Sequence, residues 1–265
     1  MLGSPIAHSR SPQLHRAAYA ALGLVGWTYE RIECSADALP GLVDGLGPEW
    51  VGLSVTMPGK VAALEFADDR AERAVLAESA NTLVRTATGW RADCTDVDGV
   101  RGALGDGGVT DLSGAQAVVV GAGGTARPAL IALADLGAAG VTIVARNAER
   151  ARSSLELAER LGMTARVVDF DPDDVAKVAS AADAVVSTVP APAAEAVATA
   201  LATAPAVLDA IYDPWPTPLA QACEASGATV ISGLRMLLNQ AFGQVEQFTG
   251  SPAPKAEMEA ALAAI

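Results

Sequence analysis

Residues 117–126 read Ala117-Val118-Val119-Val120-Gly121-Ala122-Gly123-Gly124-Thr125-Ala126, an apolar run that passes without a spacer into a glycine-rich loop. A run of this kind, bounded by a glycine turn, fits a strand buried on both faces. Past the loop, Pro128 to Leu136 has the spacing of an amphipathic helix with proline near its first turn. A GxGxxG string alone says little. Between a strand and a helix its glycines allow a tight turn and let backbone N–H groups at the helix N-terminus meet a pyrophosphate. Ala126 stands where the third glycine usually sits, a substitution the pattern allows. Gly121, Ala122, Gly123, Gly124, Thr125 and Ala126 are therefore expected to cradle a dinucleotide.

Moving outward, the next apolar run, Val141 to Val144, ends in Ala145-Arg146-Asn147, with Arg150 a turn later and no carboxylate before Glu149. A carboxylate at that strand tip would suit the ribose 2′-hydroxyl of NAD, whereas arginine suits a 2′-phosphate. Arg146 and Arg150 thus favour NADP, and cations at a positive helix N-terminus are otherwise disfavoured. The rhythm continues through Ala165–Val168, Ala184–Ser187, Val207–Ala210 and Thr229–Ile231, mostly with alanine-rich helical segments between. Apolar strands alternating with helices predict a parallel sheet covered on both faces. Ahead of residue 100, Val51–Val55 and Thr82–Val84 read as strands. Pro12–Leu22, Ala36–Leu46, Lys60–Phe66 and a short segment from Val97 read as helices, and Gly105-Asp106-Gly107-Gly108 reads as a loop. Leu234–Phe248 and Pro254–Ile265 are helical. The expected architecture is α/β: a first domain over 1–98, a doubly wound Rossmann-type domain over 99–232, and helices over 233–265 that return to the first domain.

The chain has 265 residues, 51% of them hydrophobic, and 18 basic against 31 acidic side chains give a net charge of −13. That much apolar surface supports a packed core, and the negative balance argues against a nucleic-acid partner. The longest uncharged stretch, Leu112–Ala126, is too short and too polar for a membrane span. The first residues, MLGSPIAHSRSP, lack the apolar segment of a secretory signal. Three widely spaced cysteines, Cys34, Cys94 and Cys223, suit neither a disulfide framework nor a metal site, and a reducing cytoplasm is expected. Lysine occurs only three times, so each one stands out.

One of the three, Lys60, follows the strand-end turn Thr56-Met57-Pro58-Gly59. The opening Gly3-Ser4-Pro5-Ile6-Ala7-His8-Ser9-Arg10-Ser11-Pro12 sets two hydroxyls two residues apart just before a helix. Ser11 has a ready explanation as its N-cap, and Ser9 has none. Asn81-Thr82 and Thr95-Asp96 flank short apolar runs, where polar groups are expected to converge on something. A helix N-cap is the structural alternative for Asp96. His8 and His15 are expected to be structural or exposed.

With these segments in hand, the sequence resembles the shikimate dehydrogenase family. GSPIAHSRSP is similar to its serine motif, SVTMPGK to its lysine motif, SANTL to its asparagine motif and CTDVDG to its aspartate motif. GAGGTAR with ARN resembles its glycine loop and NADP-selecting segment, STVP its cofactor loop, DAIYDPWPTPL its tyrosine motif and GLRMLLNQA its closing helix. The resemblance runs from Leu2 to about Phe248 with the motifs in order. It implies a first domain that binds 3-dehydroshikimate, a second that binds NADP(H), and hydride transfer in the cleft between them. By the same resemblance, Ser9, Ser11 and Tyr212 hold the substrate carboxylate. Thr56, Lys60, Asn81, Asp96 and Gln240 grip its hydroxyls, and Lys60 with Asp96 is the catalytic pair. Ala145, Arg146, Asn147, Arg150, Thr188, Val189, Pro190, Ile211 and Gly233 join the glycine loop around the cofactor. No metal is implied, and a monomer or homodimer acting on a small molecule is expected.

Two departures stand out. Cys94 replaces an asparagine usual in the family, and a thiol is a weak donor. Only Met1 and Leu2 precede Gly3, where a strand is usual; either the start lies upstream or the chain was shortened, and if the strand is absent the first sheet loses pairing and burial, with lower stability expected. Rival readings are a quinate or dual-specificity enzyme, which Arg146 disfavours, and a non-catalytic metabolite sensor, which Lys60 with Asp96 disfavours. A methylenetetrahydrofolate dehydrogenase would leave the paired serines unexplained.

Overall fold

The computed structural model describes residues 1–264. The chain divides into two compact units, Met1–Asp96 with Leu237–Ile265, and Val97–Met236. In the first, β1 (Leu2–Gly3), α1 (Ser11–Ala21), β2 (Ile32–Glu33), α2 (Leu39–Asp44), β3 (Gly52–Ser54) and α3 (Lys60–Phe66) follow in order. Next come β4 (Asp69–Arg70), α4 (Glu72–Ala77), β5 (Thr82–Thr86) and β6 (Gly89–Asp93), and α5 (Asp96–Asp106) leads out of the unit. One sheet has the order β3-β5-β6-β4, antiparallel except where β4 meets β6. Its core gathers Leu39, Leu53, Leu83, Trp90 and Ala92.

The strand expected to be missing ahead of Gly3 is present in short form. β1 runs parallel to β2, and Leu2 bridges to Val55 on its other side. The Met1 and Gly3 carbonyls accept the Ile32 and Cys34 N–H groups at 2.9 and 3.0 Å, and the Leu2 carbonyl accepts that of Thr56 at 2.9 Å. Two residues suffice because both edges of the strand are paired and the Leu2 side chain is fully buried. α2 is shorter than the expected Ala36–Leu46, since Pro40 fits only a first turn and the helix ends at Gly45. α5 runs on through Gly105 and Asp106, expected as loop; left-handed backbone appears only at Gly108, with φ of +88°.

The second unit alternates strands and helices. β7 (Gln116–Val120), α6 (Ala126–Asp135), β8 (Gly140–Val144), α7 (Ala148–Arg160), β9 (Thr164–Val168) and α8 (Pro172–Ser180) form its first half. β10 (Ala184–Ser187), the short α9 (Ala191–Glu195) and α10 (Ala198–Leu201), β11 (Ala206–Asp209), α11 (Pro218–Ser226) and β12 (Thr229–Ser232) form its second. All six strands are parallel in the order β12-β11-β10-β7-β8-β9. This is the doubly wound Rossmann order, which reverses between β7 and β10. β7, β8, β10 and β11 are almost wholly buried, as their unbroken apolar runs require.

α12 (Gly233–Thr249) begins in the second unit and ends in the first. α13 (Lys255–Ala263) then packs on α1, with Met258 and Leu262 buried. The end of the last expected helix, Ile265, lies outside the described residues. Among the described residues no helix is long and apolar enough to cross a membrane. Nor does any group of three or more His, Cys, Asp or Glu side chains there suit a metal ion.

Candidate active site

Sheet register gathers the polar residues of the first unit. Ser54 is paired with Thr82 and Thr82 with Asp93, so β3 ends, β5 begins and β6 ends along one line. The connections at that line carry Lys60, Asn81 and Asp96. Lys60 opens α3 after a turn in which the Gly59 N–H donates to the Thr56 carbonyl at 2.9 Å. A Cβ on Gly59 would come within 3.0 Å of Val55 and 3.1 Å of Leu39, so a larger residue would push the turn outward.

The Lys60 ammonium donates to Asp96 Oδ2 at 2.5 Å, and Asn81 Nδ2 donates to Asp96 Oδ1 at 3.0 Å. All three residues are buried. Burial alone would depress the Lys60 pKa; the adjoining Asp96 carboxylate more than reverses this, and the net shift is upward. A buried ion pair gives little net stability over an apolar pair of the same volume, so function is the better reason for it. Asp96 is the first residue of α5 rather than its N-cap, and its carboxylate is engaged by Lys60 and Asn81. Gln240, on α12, brings Oε1 to 3.1 Å from Asn81 Nδ2 and accepts from the Thr95 hydroxyl at 3.3 Å. Thr56 is half-buried beside the turn.

Ser9 and Ser11 form a second polar group. The expected capping role of Ser11 is overturned: it lies inside α1, which has Arg10 at its N-cap and no side-chain cap. Ser9 lies just ahead of the helix, accepting from the Ser11 N–H at 3.3 Å and donating to the Ser11 hydroxyl at 3.3 Å. The Arg31 guanidinium holds this loop through the Ser9 carbonyl, with its shorter contact at 2.5 Å. No direct bond joins the serines to the Lys60–Asp96 pair. The connection runs through residues that sequence reasoning missed. Tyr29 is hydrogen-bonded to Ser11 and donates to Ser54 Oγ at 2.5 Å, and Ser54 donates to Gln244 Oε1 at 2.7 Å. Gln244 sits four residues after Gln240, a helical spacing that puts both on one face. That spacing was the available signal.

In the second unit the glycine loop follows β7 at the point where strand order reverses, the usual crevice for a dinucleotide. Gly121 has φ of +104°, and a Cβ there would lie 2.7 Å from Thr188 Oγ1 and 2.8 Å from Val189 Cγ1. Thr188 closes the β10 side by donating its N–H and its hydroxyl to the Val120 carbonyl at 2.9 and 2.8 Å. Gly123 differs: a Cβ there meets nothing within 4 Å. The fold itself does not require that glycine, so the space in front of it fits a pyrophosphate brought against bare backbone. α6 starts at Ala126 with no side-chain cap, which leaves its N-terminal N–H groups for an anion.

At the tip of β8, Ala145 is buried while Arg146, Asn147 and Arg150 are exposed. Asn147 caps α7, accepting from the Glu149 and Arg150 N–H groups at 2.9 and 3.2 Å. Among the described residues neither Arg146 nor Arg150 forms an ion pair, so both guanidinium groups are available to a phosphate. Pro190 stands at the N-cap of α9. Asp209, at the end of β11, accepts from the Ile211 N–H at 3.1 Å and the Thr217 hydroxyl at 2.6 Å, which ties down the loop carrying Tyr212. Gly233 opens α12, where a Cβ would strike the Ala210 carbonyl oxygen at 2.2 Å.

Family models match along the chain: a shikimate dehydrogenase substrate binding domain at residues 1–83, a shikimate/quinate 5-dehydrogenase at 104–206, and a shikimate 5′-dehydrogenase C-terminal domain at 233–263. Shikimate dehydrogenase (NADP(+)) of Halobacterium salinarum is 41% identical, with 100% of this chain and 97% of that protein covered. The crystal structure of Mycobacterium tuberculosis shikimate dehydrogenase is 60% identical with a TM-score of 0.95, covering 100% of this chain and 98% of that one. The Thermus thermophilus shikimate 5-dehydrogenase, solved in complex with NADP(H) and shikimate, is 30% identical with a TM-score of 0.82, covering 99% and 97%. Full-length identity on this scale, joined to a Lys60–Asp96–Asn81 cluster in one unit and a glycine loop with unpaired arginines in the other, makes the chain a member of the shikimate dehydrogenase family.

Proposed function

We propose that this chain is a shikimate dehydrogenase that reversibly reduces 3-dehydroshikimate to shikimate with NADPH in chorismate biosynthesis. The observation that carries this reading is the buried Lys60–Asp96 contact of 2.5 Å, with Asn81 on the second carboxylate oxygen. NADPH, when bound, supplies the hydride. Reduction of a ketone leaves an alkoxide that needs a proton, and an ammonium beside it both donates that proton and stabilises the developing charge. Lys60 fits this task because its upward-shifted pKa keeps it charged at neutral pH. Asp96 holds the lysine in place and accepts a hydrogen bond from a substrate hydroxyl. Asn81, Gln240 and Thr56 supply further hydroxyl contacts; Ser9, Ser11 and Tyr212 take the carboxylate. Arg146 and Arg150 hold the 2′-phosphate, with Asn147 fixing the start of the helix that carries Arg150. Gly121–Ala126, Thr188, Val189, Pro190, Ile211 and Gly233 form the remaining cofactor wall. A cytoplasmic site of action belongs to this proposal, and three buried, unbridged thiols support it.

The test follows cofactor absorbance with shikimate or quinate against NADP+ or NAD+. Shikimate with NADP+ is the expected productive pair. Lys60→Ala is expected to lower kcat by at least about a hundredfold, the usual worth of a positioned acid, and to leave the circular dichroism of the fold unchanged. Shikimate oxidation by the parent chain is expected to accelerate as pH rises toward the lysine pKa, because that direction requires the pair to take up a proton. Undiminished turnover by Lys60→Ala would refute the assignment.

A further inference from the structure

Gln244 is buried in the first unit, and its side-chain amide is saturated. Nε2 donates to the Asn81 carbonyl at 3.0 Å and to Thr82 Oγ1 at 3.0 Å. Oε1 accepts from Ser54 Oγ at 2.7 Å and lies 3.2 Å from His15 Nε2. A peptide carbonyl can only accept, so the Asn81 carbonyl fixes which end of the Gln244 amide faces it. That choice passes on a direction. Thr82 Oγ1 accepts a hydrogen bond from Gln244 Nε2 and donates its own hydroxyl hydrogen to Asn81 Oδ1, 2.9 Å away. The Thr95 N–H, 2.8 Å from the same oxygen, acts in the same sense. With Oδ1 committed to these donors, Nδ2 is the end of Asn81 that meets Asp96 at 3.0 Å. A reversed Asn81 amide would set oxygen against carboxylate, acceptor against acceptor.

We propose that Gln244 and Thr82 are positioning residues that fix which end of the Asn81 amide faces Asp96 and the substrate. The proposal rests on the assignment of Asn81 and Asp96 to substrate binding given above. Neither Gln244 nor Thr82 touches substrate in it; they act by orienting Asn81. Gln244 serves the serine loop as well, since the same oxygen that faces His15 ends the chain Ser11–Tyr29–Ser54.

Thr82→Val keeps the branched shape and removes the hydroxyl, and Thr82→Ser restores it. Calorimetric binding of shikimate, KM for shikimate and for NADP+, kcat and Tm are measured for the parent chain and both variants. A misoriented buried hydrogen-bond partner should weaken shikimate binding on the order of tenfold in Thr82→Val. KM for NADP+ should stay unchanged, kcat should fall less than KM for shikimate rises, and Thr82→Ser should restore the shikimate KM. Gln244→Leu should show the same split with a lower Tm. Adding Thr82→Val to it should weaken shikimate binding no further, because both lie on one line of bonds. Parent-like shikimate affinity in a folded Thr82→Val, or equal losses in Thr82→Ser, overturns the positioning role. A parent chain that neither binds nor oxidises shikimate overturns the functional reading beneath it.

Discussion

His15 is fully buried, stacked on Tyr29 with ring centroids 4.1 Å apart, and burial pushes its pKa down to about 3. A neutral imidazole that donates to Gln244 needs no catalytic explanation. It has a stability consequence whose sign is fixed. The unfolded chain binds a proton near pH 6.5 and the folded chain does not, so this contribution is complete above that pH and lost as pH falls toward 3. Between pH 6.5 and 5 the loss should amount to about 2 kcal/mol. Urea unfolding at both pH values should show it, and His15→Gln should flatten the difference; an unchanged slope in that variant would count against the burial account. Cys94 follows the same logic with the opposite sense. Burial pushes its thiol up to about 12, and it is hydrogen-bonded to Ser79, so Cys94 is a neutral filler rather than a nucleophile.

At the level of elements, the glycines separate what the fold needs from what a ligand needs. Gly123→Ala should leave Tm unchanged and raise KM for NADP+, because its Cβ meets nothing in the protein. Gly233→Ala should instead lower Tm, since its Cβ falls 2.2 Å from the Ala210 carbonyl oxygen. Equal melting temperatures for the two variants would contradict that division. The inner strands β7, β8, β10 and β11 were legible because parallel strands buried on both faces must be apolar throughout, and β10 matches its expected bounds residue for residue. β6 was missed because Gly89-Trp90-Arg91-Ala92-Asp93 mixes glycine and charge into a short run, although Trp90, Ala92 and Asp93 are buried, and β1, β2 and β4 have two residues each, too few for any period to appear. Lys60, Asn81 and Asp96 were readable as polar residues at strand ends. Tyr29, Ser54, Thr82 and Gln244 were not read as a network, because their roles depend on partners up to 229 residues away.

Across the whole molecule, charge and chain path set the remaining constraints. A protein of net charge −13 that takes two anionic ligands must attract them locally, and in the proposed reading Arg146, Arg150, Lys60 and the uncapped start of α6 are the groups that do so. The chain path matters for a different reason. The second unit is continuous from Val97 to Met236, whereas the first is assembled from both ends of the sequence. A chain cut after Met236 should keep a protease-resistant second unit while Met1–Asp96 is digested; equal resistance of both segments would oppose this. On the ribosome the same arrangement inverts the customary order of assembly. Lys60, Asn81 and Asp96 are made early, but they wait for Gln240 and Gln244 to emerge, so the proposed substrate-binding face is completed only as synthesis closes and no partly made chain carries it intact.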